Sequence, residues 1–144
     1  MDQNVVHEID IGAKIETGTP FPMLALDERH GMLVFGVIND NENVSSSCVF
    51  KFVSDVIQFG HPTDESFARH RLFGSGLKFY SVSEVTNSTW LVEMHPNVDL
   101  KQTELRHFII GFHDSTFECL VRKVQFSIVP GKVADVFKTQ LKHF

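Results

Sequence analysis

The amino-acid sequence predicts an α+β fold for residues 1–144. We expect a strongly bent antiparallel sheet or β-sandwich of about seven strands, one short internal helix and a C-terminal amphipathic helix. Three observations carry this expectation. Short runs rich in β-branched and aromatic residues alternate in polarity through the first sixty residues. The segment RHFIIGFHDSTFECLVRKVQF pairs with itself into a hairpin with one continuous apolar face. Val133, Val136, Phe137, Leu141 and Phe144 recur at helical spacing, with Lys132, Lys138 and Lys142 off that stripe.

Taken in order, Val5 to Lys14 reads as a strand, and Met23 to Ile38 as a hairpin turning at His30-Gly31. Pairing Leu26 with Phe35 and Leu24 with Val37 places Leu24, Leu26, Leu33, Phe35 and Val37 on one face. The run Asn39-Asp40-Asn41-Glu42-Asn43 turns the chain into a strand near Ser46 to Phe59. A calcium loop there would need a glycine at its sixth position and a glutamate at its twelfth. It has neither, and Lys51 stands in the place of that glutamate.

Residues 60–76, GHPTDESFARHRLFGSG, are not strand-like. Thr63 is placed to cap a short helix whose first turn holds Asp64 and Glu65. Gly74-Ser75-Gly76 reads as a flexible joint into a strand from Leu77 to Val85, being too short for a phosphate loop. Asn87-Ser88 offers an N-cap for a helix through Trp90, Leu91 and Met94, stopped by Pro96. From Arg106 the clearest hairpin begins. With Asp114-Ser115 as a two-residue turn, Phe112 faces Phe117, Ile110 faces Cys119 and Phe108 faces Val121. The same register sets His107 opposite Arg122 and Glu118 beside Gly111 on the other face. Cys119 falls in the core as a small hydrophobe, which removes it as a nucleophile.

Composition bounds the function. The chain is 144 residues long, 42% hydrophobic and 22% charged, enough for one core burying roughly 70% of the unfolded surface. Two cysteines make no disulfide framework and no CxxC. No apolar run reaches membrane-span length, and Met1-Asp2-Gln3-Asn4 lacks the layout of a signal peptide. Without secretion the sequon Asn87-Ser88-Thr89 has no force, so a soluble cytoplasmic protein with no membrane contact is expected. The net charge of −5 argues against nucleic acid as a partner. That charge is uneven, with −8 over residues 1–65 and +3 over residues 66–144. The ordinary reading is two halves lying side by side; the sharper one is a polar molecule that docks on itself or on a charged protein. Fourteen phenylalanines exceed what one core must hold, and an exposed surplus would mark a protein surface or an apolar cleft.

Eight histidines raise the question of a metal. His61, His70, His107 and His113 with Asp114 and Glu118 are the candidate ligands, yet none has the tight spacing of HxH or HExxH, so no metal and no cofactor is expected. His113-Asp114-Ser115 holds the three residue types of a catalytic triad, but side chains adjacent in a turn splay apart, and Asp114 is better read as capping backbone N–H groups. Arg69-His70-Arg71 could hold an anion, though such clusters are ordinarily solvated. Glu84 and Glu118 could pair as acid and base, with nothing in the sequence to fix their distance.

The string EVTNSTWLVE (Glu84 to Glu93), followed by LRHFIIGFHDSTFEC (Leu105 to Cys119), resembles a family of small bacterial proteins of no established activity. Its pattern is EVxNSxW, a spacer, then RHFxxxFHDxTFEC. The resemblance spans about Gly60 to Val124. It implies a bacterial α+β domain and carries over no catalytic residue. Two functions are therefore expected, in this order. The first is a non-enzymatic interaction module, a homodimer or a binder of another bacterial protein such as a toxin-neutralising partner. The second is a small-molecule binder or hydrolase with its site between loop 60–76 and the 113–118 hairpin turn. The candidate ligand or partner residues are His61, His70, Arg71, Trp90, His113, Asp114 and Glu118. A deep pocket holding at least three of His61, His70, His113 and Glu118 would separate the two.

Overall fold

The computed structural model describes residues 4–18, 21–38 and 45–144, so the predicted turn at 39–43 lies outside the described residues. These form eight strands: β1 (Val5–Glu8), β2 (Lys14–Ile15), β3 (Met23–Leu26), β4 (His30–Ile38), β5 (Ser46–Gly60), β6 (Val82–Thr86), β7 (Arg106–Gly111) and β8 (Thr116–Pro130). Two helices, α1 (Thr89–Met94) and α2 (Val133–Leu141), and two 3-10 turns, Asp64–Arg69 and Phe73–Ser75, complete them. The strands make one open antiparallel sheet in the order β1-β6-β7-β8-β5-β4-β2, with β3 pairing β4 beside β2. The fold is broadly α+β, as expected.

The sheet bends because β5 and β8 run through it from end to end. Ser46 to Val53 of β5 pairs with β4, whereas Thr116 to Val121 of β8 pairs with β7. Between these stretches the β5–β8 ladder shifts register at Lys51/Val53 and again at Ser54/Val56. Lys123, at the first shift, takes a left-handed φ of 53°. Such bulges sharpen strand twist and turn corners. Phe35 sits level with Ile128 of β8 through Cys48, and Phe112 follows the Gly111–Thr116 pair. Straight strand from Thr116 to Ile128 would measure about 40 Å. The two rings nevertheless lie 5.3 Å apart. The sheet is thus folded over, with the main core between its halves.

Alternation decides what enters that core. Phe117, Cys119 and Val121 join Phe50, Phe108 and Ile110 there, and the Phe50 ring stacks on Phe126 at 4.2 Å. The opposite face of the sheet is covered in three patches. Val133 and Val136 of α2 pack on Met32, Val34 and Val49. Phe67, Leu72 and Leu77 pack on Val85 and Ile109, and Leu91 of α1 packs on Leu105 and Leu120.

Several expected details shift. The β7–β8 hairpin pairs Ile110 with Phe117 and Phe108 with Cys119, closed by Phe112 N–H donating to Ser115 O; His107 therefore faces Leu120, and Glu118 faces Ile109. The β3–β4 hairpin turns at 27–29, pairing Leu26 with Gly31 and Leu24 with Leu33. Gly31 is not a turn residue but a point of close approach, because a Cβ there would collide with the Phe52 ring. The predicted first strand breaks after Glu8, and the strand expected from Leu77 begins at Val82. Thr63 precedes a 3-10 turn without a side-chain cap bond, whereas Ser88 caps α1 by accepting from Leu91 N–H at 3.0 Å. Leu141 and Phe144 stand exposed beyond the packed stripe of α2. The acidic and basic parts of the sequence interleave, since β1 pairs β6 and β5 pairs β8. Phe21, Phe59, Phe79 and Phe144 are the exposed phenylalanines, on four separate segments.

Candidate functional site

Glu118 alternates with core residues on β8, which turns it to the covered face of the sheet. It would meet water there were it not for the segment from His61 to Leu77, which folds across it. Thr116 Oγ1 donates to Pro62 O at 2.6 Å, after a cis His61–Pro62 bond, and fixes the start of that segment. Phe67 then settles over Gly111, where a Cβ would stand 3.1 Å from two of its ring atoms. A side chain at this position would push the Phe67 ring away by a few tenths of an ångström. The segment's apolar anchors leave His70 and Arg71 directly above Glu118.

The Glu118 carboxylate is saturated. Oε1 meets His70 Nε2 at 3.0 Å and Arg71 Nη1 at 3.2 Å. Oε2 meets Arg71 Nη2 at 2.6 Å and His107 Nε2 at 2.6 Å. Four donors fill the roughly four lone-pair sites a carboxylate offers. Burial would raise this carboxyl, but the hydrogen bonds from His107, His70 and Arg71 outweigh it and hold the group well below its ordinary value of 4.5. Glu118 is thus a fixed anion, unsuited to giving or taking protons.

That anion orders its neighbours. His70 Nδ1 accepts from Leu72 N–H at 3.1 Å, so neutral His70 carries its proton on Nε2 and donates it to Glu118. On the other side, His107 Nδ1 lies 2.7 Å from Ser88 Oγ, and His107 is 1% exposed. The Trp90 ring lies against both groups, 5.1 Å from the His107 centroid and 5.7 Å from the Arg71 guanidinium carbon. On the opposite face of the sheet, over the Phe108 ring, Arg106 grips Glu84 through two bonds of 2.7 and 2.8 Å.

Two cavities flank the network. One, of about 260 Å³, is lined by Gln58, His61, Ser66, Arg69, His70, Arg71, Thr116 and Glu118. The other, of about 250 Å³, is lined by Glu84, Thr86, Asn87, Ser88, Thr103, Arg106 and His107. Of the expected residues, His61, His70, Arg71 and Glu118 share the first cavity, and Trp90 backs Arg71. His113 and Asp114 do not join them. They sit at the hairpin tip, 3.8 Å apart and half exposed, beside a cleft lined by Phe21 and Phe35. Glu84 and Glu118 are no acid–base pair, since each is held by its own arginine, Arg106 and Arg71.

The sequence reading missed the role of Ser88, taken only as a cap, and of His107, weighed only as a metal ligand. The available signal was parity: His107 and Glu118 are titratable residues on the second face of the hairpin, alternating with Ile109, Thr116 and Leu120. Among the described residues no group of three or more His, Cys, Asp or Glu side chains is arranged to hold a metal ion. The cysteines lie in the main core, where burial pushes the Cys48 thiol up to about 12 and Cys119 well above its ordinary value.

No family model matches the chain, and no match is found among curated proteins or among solved structures. No helix among the described residues is long and apolar enough to cross a membrane.

Proposed function

We propose that this protein binds a small anionic molecule, a carboxylate or a phosphate, in the cavity between residues 61–71 and β8, as a bacterial cytoplasmic protein. The observation that carries this reading is the convergence of His61, His70, Arg69 and Arg71 on a cavity whose one described carboxylate, Glu118, is already saturated. Glu118 takes two of the five N–H donors of Arg71, which leaves three, and the Arg71 side chain is 48% exposed. An incoming anion therefore meets donors and cation rather than a competing acceptor. Three of the four side chains chosen to separate the two expected functions line this cavity, which favours the ligand reading.

The test is titration calorimetry with inorganic phosphate and with malonate, alongside melting curves. We expect saturable binding and a raised Tm, both lost in Arg69→Ala, whose side chain makes none of the four bonds to Glu118. Absence of saturable heat with either anion would discard this function. The interaction module is the second reading, favoured by exposed Met23 and Leu26 on β3 and exposed Leu141 and Phe144 at the end of α2, which packs near that strand. Sedimentation decides it: a dimer dissociated by Leu26→Lys supports the homodimer, and a monomer at all concentrations ends it.

A further inference from the structure

We propose that Ser88, His107 and Glu118 form an acyl-transfer centre, with a small polar ester as its substrate in the second cavity. Counting protons sets the direction of the chain. Ser88 Oγ accepts from Leu91 N–H at 3.0 Å, so its own hydrogen is free to point to His107 Nδ1, 2.7 Å away. Nδ1 is then an acceptor, and the proton of neutral His107 sits on Nε2, which donates to Glu118 Oε2 at 2.6 Å. Arg71 already balances the Glu118 charge, so a neutral imidazole leaves no excess charge buried. The result is a hydroxyl hydrogen-bonded to a base, and a base oriented by a fixed carboxylate, which is the order of parts nucleophilic catalysis needs.

The setting fits that use. Ser88 immediately precedes α1, and Asn87, at a left-handed φ of 53°, links it to the end of β6. Both Ser88 and His107 line the cavity of about 250 Å³. Ser88 is only 2% exposed, so the centre admits a small acyl group and no polymer. Asn87, next to Ser88, lines the same cavity and offers an amide donor to a developing oxyanion. In the step itself, Ser88 Oγ bonds to the ester carbonyl carbon while its proton passes to His107 Nδ1. The bond from that carbon to the leaving oxygen then breaks, and the departing alkoxide takes the proton from Nδ1. Water repeats the sequence in reverse, giving its proton to Nδ1, and Ser88 Oγ leaves with that proton. Glu118 stays ionised throughout.

The ester binds in the other cavity, so labelling of Ser88 succeeds or fails whatever the anion titration shows. Folded protein is incubated with p-nitrophenyl acetate and, separately, with a fluorophosphonate, and adducts are mapped by peptide mass spectrometry. We expect one adduct, on Ser88, formed at least a hundredfold faster than in urea. Ser88→Gly, a tolerated N-cap, should remove it while Glu28→Ala, on the exposed turn between β3 and β4, leaves it unchanged. His107→Gln should slow labelling more than a hundredfold. No Ser88 adduct on the folded wild-type chain, or adducts spread over several serines, would overturn the proposal without reference to any variant.

Discussion

One hairpin carries two pairings of histidine with an acid, and they behave oppositely. His107 and Glu118 are eleven positions apart, 1% and 4% exposed at their side chains, and 2.6 Å from each other. His113 and Asp114 are neighbours in the chain, 52% and 54% exposed, and 3.8 Å apart. Proximity in sequence put the second pair in water. Strand alternation and the covering segment put the first pair where water cannot compete. The difference shows that a charge pair matters through what surrounds it, since exposed pairs contribute only about 0–1 kcal/mol.

The comparison breaks most sharply at the two acids. Glu118→Ala strands Arg71, His70 and His107 without their acceptor and should cost about 3–5 kcal/mol in a denaturant titration. Asp114→Ala should change stability by no more than about 0.5 kcal/mol, and equal losses would erase the distinction. The bases come next. His70→Ala removes one of four bonds to a charged carboxylate, worth about 1.5–3 kcal/mol, whereas His113→Ala should leave the titration midpoint unmoved.

A gentler probe is acid. The native Glu118 carboxyl lies below its ordinary 4.5, so on acidification the unfolded chain takes up a proton there before the native one does. Its stabilisation is complete above about pH 4.5 and is lost as pH falls toward the depressed native value. At most this adds a slope of about 1.4 kcal/mol per pH unit, which Glu118→Gln should remove. A wild-type profile with the slope of the variant would mean the carboxyl is not held ionised.

Much of this architecture was legible, and the part that was not has a common cause. Apolar alternation assigned Phe108, Ile110, Phe117 and Cys119 to the core face correctly. It could not fix the hairpin register, because sliding a strand by two residues leaves every side chain on the same face. The β7–β8 pairing differs from expectation by such an even shift, and so does the β3–β4 pairing. The candidate site suffered differently. Arg69-His70-Arg71 was weighed as an anion holder but read as an ordinarily solvated cluster, because the anion that Arg71 meets is Glu118, 47 positions beyond it, and only the fold brings them together. Ser88 announced itself as a cap, and its second bond to His107 has no local signature.

The two fifteen-residue strands that cross the bend have a consequence for folding. Each half of the sheet borrows half of β5 and half of β8, so neither half owns a complete set of strands. The halves cannot melt one after the other, and heating should give a single calorimetric transition. The pairing of Ser46 with Pro130 closes 84 positions of chain before the first turn of the core is sealed, which puts this chain among slow folders of high contact order.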